Sequence, residues 1–178
     1  MKPLKILLLT TFVITVVLAL SYEKVISNVL LPQYISWAHK IDSNGLKVGV
    51  PLEEQQLLLA TKIGIQNPHK VKIVYVDEVP FPYENFALNI LGKALGFVGE
   101  GIVNNAQVFG YSIYVRKGYE LDTPKLAHEL VHVLQIERSN LAAVITQHFS
   151  DMAKYGYENA PLEVEAFKAN QKYSGNSK

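Results

Sequence analysis

The 178-residue chain contains no cysteine. That absence excludes disulfides, zinc ribbons, iron–sulfur ligation and thiol nucleophiles together, and it leaves His, Asp and Glu as the side chains able to hold a metal. An excess of charge is missing as well. Seventeen Lys+Arg against sixteen Asp+Glu give a net charge of +1. With no basic surplus to displace counterions from phosphates, no nucleic-acid partner is expected. The same balance, combined with 49% hydrophobic residues, excludes an acidic solvating tail or a mostly disordered chain. Gly92, Gly96, Gly99 and Gly101 do not sit in a strand-to-helix turn, and no Gly-Lys-Ser/Thr follows them. They read as a flexible loop rather than a phosphate cradle.

What is present in excess lies at the N-terminus. From Ile6 to Leu20 the chain has 15 uncharged residues in a row, with Lys2 and Lys5 in front. At about 1.5 Å per residue this run approaches the span of a hydrocarbon core. The expectation is a retained transmembrane anchor over residues 1–22, or an exported signal segment cut near Val17-Leu18-Ala19. Lys2 and Lys5 would stay cytoplasmic and the bulk of the chain would lie on the extracytoplasmic side, or be secreted if the segment is cleaved. Residues 23–45 read as an amphipathic juxtamembrane linker, apolar from Val25 to Ala38 with Tyr34 and Trp37, and closed by turn chemistry at Ile41-Asp42-Ser43-Asn44-Gly45. Without its first 21 residues the chain has 15 basic and 16 acidic side chains, an ordinary near-neutral composition.

The remainder reads as one α+β domain over residues 46–172, followed by a polar tail, 173–178. A helix is expected after Pro51, with Glu53 and Glu54 in its first turn and a stop near Gly64. Val71–Val76 alternates and is rich in β-branched residues, so it reads as a strand, and Phe86–Leu95 as a helix. Val108–Val115 reads as one continuous strand, with Phe109, Tyr111, Ile113 and Val115 on one face. Thr123-Pro124 reads as an N-cap followed by proline at the first helical position, opening a helix to about Arg138. Further helices are expected over Asn140–Tyr155, stopped by Gly156, and from Pro161 until the chain fades into Gln171–Lys178.

The chemistry lies in His128-Glu129-Leu130-Val131-His132. Side chains four apart project from one helical face, so both imidazoles can reach one ion. Glu129 is rotated by one residue and falls beside the ion, where it can act as the base for a water. A catalytic zinc needs a third protein ligand and an open position. Position 135 is Gln135, 138 is Arg138, and the one later histidine is His148. The segment Tyr157–Phe167 is the better source, because a helix opens there with Glu163 and Glu165. Acids in a first turn also suit the helix dipole without any metal, so the residues alone leave the two glutamates open. His39 and His69 read as surface or linker residues.

With Ala160-Pro161-Leu162-Glu163-Val164-Glu165-Ala166 downstream, this motif resembles the zincin metallopeptidases of the gluzincin type, and the local texture is similar to small uncharacterised bacterial zincin-like membrane proteins. The resemblance covers Val108–Ala169. It implies a zincin-like minimal metallopeptidase domain, a small antiparallel or mixed sheet with an active-site helix, that hydrolyses peptide bonds in a peptide or protein substrate with Zn2+. It implies His128 and His132 as ligands, Glu129 as general base, and Glu163 as third ligand because it stands three before Ala166. The acidic residue that follows this alanine in the family is Phe167 here, so another acceptor must fix the imidazole tautomers. Gln135, one turn past His132, is the expected one. The resemblance also implies that the strand before the helix is an edge that pairs with substrate, and that a Tyr or His stabilises the oxyanion, with Tyr155, Tyr157 and His148 as candidates. The rival expectation is a catalytically silent zincin-like binding or scaffold protein at the cell envelope.

Overall fold

The structure, a computed structural model, describes residues 22–175. The apolar run Leu4–Leu20 lies outside them; among the described residues no helix is long and apolar enough to cross a membrane. The chain divides into two compact units, Met1–Tyr34 and Ile35–Lys178. The first includes a π-helical turn at Ile26–Leu30.

The second unit is an α+β fold around a mixed four-stranded sheet. Its strands are β1 (Val50–Pro51), β2 (Lys72–Val76), β3 (Ala106–Phe109) and β4 (Ser112–Arg116), in the order β1-β2-β4-β3. β2 and β4 run parallel at the centre, with Ile73 opposite Ile113, and each carries an antiparallel neighbour on its outer side. The helices described are α1 (Leu31–Val48), α2 (Glu54–Ile63), α3 (Phe86–Ala94), α4 (Thr123–Arg138), α5 (Leu141–Tyr155) and α6 (Pro161–Ser174).

Strand alternation assigns the two faces of the sheet. Ile73, Ile113 and Val115 pack against Leu59 and Ala60 of α2 and Leu126, Leu130 and Val133 of α4 in the main core. On the opposite face Ser112 and Tyr114 meet the C-terminal half of α1. The Tyr114 hydroxyl donates to the Ile41 carbonyl at 2.9 Å, and Trp37 stands edge-on to Phe109 at 5.4 Å.

Three local expectations are overturned. The turn expected at Ile41–Gly45 is helical, inside α1. Its turn-forming side chains are spent on the sheet instead: Asp42 Oδ1 accepts from the Tyr111 and Ser112 backbone N–H groups at 3.1 and 3.2 Å and from the Ser112 hydroxyl at 2.9 Å. Gly45 lets the helix approach, since a Cβ there would lie 2.5 Å from Ser112 Oγ. The single strand expected at Val108–Val115 is a hairpin, β3 and β4, split at Gly110 and Tyr111. Gly110 has φ +61, a left-handed conformation that glycine adopts freely and most residues do not. Finally, Gln171–Ser174 continues α6, and Tyr173 is buried in the main core rather than part of a polar tail.

The elements that carry the site form from local signals. The N-cap of α4 is Asp122, one residue before the expected Thr123; its side chain accepts from the Lys125 N–H, and Pro124 follows in the first turn. α5 is capped by Asn140 and stops at Gly156, and α6 opens with Pro161. α6 packs along α4 more extensively than any other pair of elements do.

Candidate metal centre

α4 buries the faces that carry Leu126, Leu130 and Val133, and the same helical pitch places His128 and His132 side by side. Their Nε2 atoms are 3.2 Å apart. α6 brings Glu163 to them, with Oε2 at 3.4 Å from His128 Nε2 and Oε1 at 3.6 Å from His132 Nε2. Glu163 is 4% exposed, and its Oε2 is buried without a hydrogen-bond partner.

These separations fit an ion. Donors held at about 2.0–2.1 Å from a tetrahedral zinc stand roughly 3.3–3.4 Å from one another. The three observed separations bracket that edge length, and among the described residues this is the one group of three or more His, Cys, Asp and Glu whose ligating atoms converge, all within 4.8 Å. A buried carboxylate oxygen with no partner is costly unless something cationic faces it. The donor set, two imidazoles and one carboxylate, is one that zinc takes in catalytic sites.

The electrostatics have the same origin. Burial pushes the Glu163 carboxyl upward, but the His128 and His132 imidazoles that face it outweigh burial and hold the group well below the ordinary carboxylate range. Burial alone would lower His132; the Glu163 carboxylate overcomes it and raises the imidazole to about 9. Glu129 is raised, first by burial and then by the Glu163 charge, against the opposing pull of the two histidines.

Each remaining candidate has a definite place. Glu165 is two residues from Glu163 on α6 and faces elsewhere: it accepts from the Gln135 side chain and pairs with Arg138. Gln135 Oε1 lies 2.9 Å from His132 Nδ1 and accepts from it, as expected of a residue one turn on. His148 of α5 has its Nε2 3.8 Å from Glu163 Oε1; burial lowers its basicity, and its ring stacks on Phe97 at 5.8 Å. Tyr157 packs on Phe167 beside the cluster, and burial followed by the Glu163 charge pushes its hydroxyl far above the ordinary tyrosine range. Tyr155 is exposed and paired with Lys154, away from the cluster. His39 and His69 are exposed.

Phe167 stands edge-on to the His128 ring at 5.0 Å and packs on Tyr157 at 6.0 Å. It confines the imidazole by shape rather than by a hydrogen bond. Two contributors escaped the sequence reading, Phe97 behind His148 and Arg138 behind Glu165. Phe97 had no signal, because it sits in a glycine-rich loop with no period. Arg138 had one: it lies three residues after Gln135, on the same face of α4. The strand at the sheet edge nearest α4 is β3, the first arm of the hairpin, while β4 is internal. No family model, curated protein or solved structure matches the chain.

Proposed function

We propose that this chain is a zinc-dependent peptidase with a zincin-like domain of the gluzincin type, tethered by its N-terminal apolar run to a membrane and facing the extracytoplasmic side. The observation that carries the reading is the near-tetrahedral spacing of the His128, His132 and Glu163 donor atoms, with a buried, unpartnered carboxylate oxygen among them and a glutamate next in sequence to His128.

His128, His132 and Glu163 would hold the zinc, which when bound would polarise a scissile carbonyl and acidify a water. Glu129, its affinity for a proton raised by burial, is suited to take the proton from the attacking water and deliver it to the leaving amine. Tyr157 stays protonated at neutral pH and is a hydrogen-bond donor for a carbonyl oxygen that gains charge; His148 is the other donor within reach. β3, an edge strand packed against the helix of the motif, offers a substrate backbone the unpaired side of a sheet.

The test uses the full-length chain purified in detergent. One zinc per chain and hydrolysis of unstructured peptides are expected, with Glu129→Gln keeping the metal and losing about 10²–10⁴-fold in rate. Zinc without hydrolysis across varied peptides would favour the silent binding protein. Hydrolysis that survives Glu129→Gln would assign the base elsewhere, and absence of zinc at saturating concentration would end the proposal.

A further inference from the structure

In a catalytic zinc site a ligating imidazole must present a bare nitrogen to the metal, so its other nitrogen must carry the proton and have an acceptor. For His132 the structure supplies such an acceptor, at the start of a chain of side chains running from the site to the surface.

His132 Nδ1 lies 2.9 Å from Gln135 Oε1. The Gln135 side chain is 4% exposed, and its Nε2 lies 2.9 Å from both the Leu162 carbonyl and Glu165 Oε2. Arg138 holds the other oxygen of Glu165. A carbonyl and a carboxylate can only accept, so the amide end that faces them must be the NH2. The oxygen of Gln135 is thereby forced toward His132, where it can only accept. His132 Nδ1 must then be the protonated nitrogen, and Nε2 is left to face Glu163 and His128. Only acceptors on the far side of Gln135 give its amide this single orientation.

We infer that Gln135 and Glu165 are positioning residues that fix the His132 tautomer for metal binding, Gln135 by accepting from Nδ1–H and Glu165, steadied by Arg138, by orienting the Gln135 amide. The inference rests on the zinc reading of the site and assigns Glu165 a task other than ligation. It also explains why two glutamates open α6: Glu163 faces the imidazoles, and Glu165 faces the amide that orients one of them. Because Leu162 and Glu165 both belong to α6, the same contacts hold that helix in the register that brings Glu163 to the site.

A double-mutant cycle on the full-length chain in detergent tests this, with zinc affinity measured by competition against a chelator and folding checked by circular dichroism. Gln135→Leu should weaken zinc binding by about 10- to 100-fold, and Glu165→Ala by a smaller factor. The two act in series, so the double variant should match Gln135→Leu to within about twofold, whereas independent packing contributions would multiply. A second measurement needs no metal: in imidazole-labelled, chelated protein the His132 Nδ1 proton should give a hydrogen-bonded resonance that is lost in Gln135→Leu and displaced in Glu165→Ala. Zinc affinity that is unchanged in Glu165→Ala, or multiplicative losses in the double variant, would overturn the inference. A wild type that shows the resonance but takes no zinc would overturn the zinc reading and leave the orienting chain intact. If the resonance is absent from the wild type, the orienting chain is refuted.

Discussion

Replacing Glu163 by glutamine separates a metal centre from a buried ion cluster, because the substitution keeps the shape and removes the charge. In the metal-free chain the Glu163 carboxylate holds His132 at about 9 against an ordinary value of 6.5. Each pH unit of that displacement is worth about 1.4 kcal/mol, so the coupling is on the order of 3 kcal/mol. A basic group raised by folding contributes its full stability below the unfolded value and loses it as pH rises through the folded one. Chelated wild type should therefore exceed Glu163→Gln by about 3 kcal/mol near pH 6, which is about 6–12 °C in melting temperature for a chain of this size. The gap should close between about pH 6.5 and pH 9. Zinc should act in the opposite sense with pH, since the ion must displace the His132 proton. At a free concentration of about 100 times Kd it adds roughly 2.7 kcal/mol, or about 5–11 °C, to the wild type. The variant, which has lost an anionic ligand, should gain far less. Thermal melts followed by circular dichroism, with chelator or zinc across that pH range, read both effects. The reasoning is refuted if the chelated gap does not change with pH, or if zinc raises both melting temperatures equally.

Two further predictions concern the scaffold that holds the site. At Gly45, inside α1, alanine gains about 1 kcal/mol of helix propensity over glycine. Its Cβ, however, would meet Ser112 Oγ at 2.5 Å and Ser112 Cβ at 2.7 Å, and Ser112 is itself buried and held by Asp42. Overpacking costs about 1–3 kcal/mol, so Gly45→Ala should lower the denaturant midpoint; a rise would show that the helix yields at no cost. Glu137 accepts from the backbone N–H groups of Gln66 and Asn67 at 2.7 and 3.0 Å and from the Tyr111 hydroxyl at 2.8 Å. These bonds outweigh burial and lower its pKa. A depressed carboxyl contributes stability above its ordinary value of 4.5 and loses it as pH falls below that. Glu137→Gln should cost about 1 kcal/mol or more near neutrality, with the difference from wild type vanishing in acid; a deficit that persists in acid would mean that the charge of Glu137 is not what holds the loop.

How much of this was legible beforehand depended on whether the determining interactions are local. The helices α2, α3, α4 and α5 and the strand β2 carry their own signals: apolar spacing, a cap within a residue or two, a glycine or asparagine at the boundary. His128, Glu129 and His132 were legible for the same reason, because the helical pitch alone brings residues four apart together. The errors fall where a distant partner overrides a local signal. Asp42-Ser43-Asn44-Gly45 has turn composition, yet it is helical because Asp42 is engaged by the hairpin some seventy residues on and Gly45 admits the sheet. Val108–Val115 has strand composition throughout, and a hairpin results because Gly110 can take the left-handed turn that packs against Asp42.

The sequence by itself determined the donor chemistry and half of the site. With no cysteine, a metal could rest only on His and carboxylate, and one helix turn presents two histidines and a glutamate together. The residues themselves left Glu163 and Glu165 open, and the tertiary structure decides that Glu163 is the carboxylate that completes the group. Glu163 and Glu165 are two residues apart in the same helix and carry the same side chain, but two residues on a helix point roughly 200° apart. Only the packing of α6 on α4 determines that Glu163 turns to the imidazoles and Glu165 to Gln135, and that choice is held by hydrogen bonds between residues about thirty positions apart.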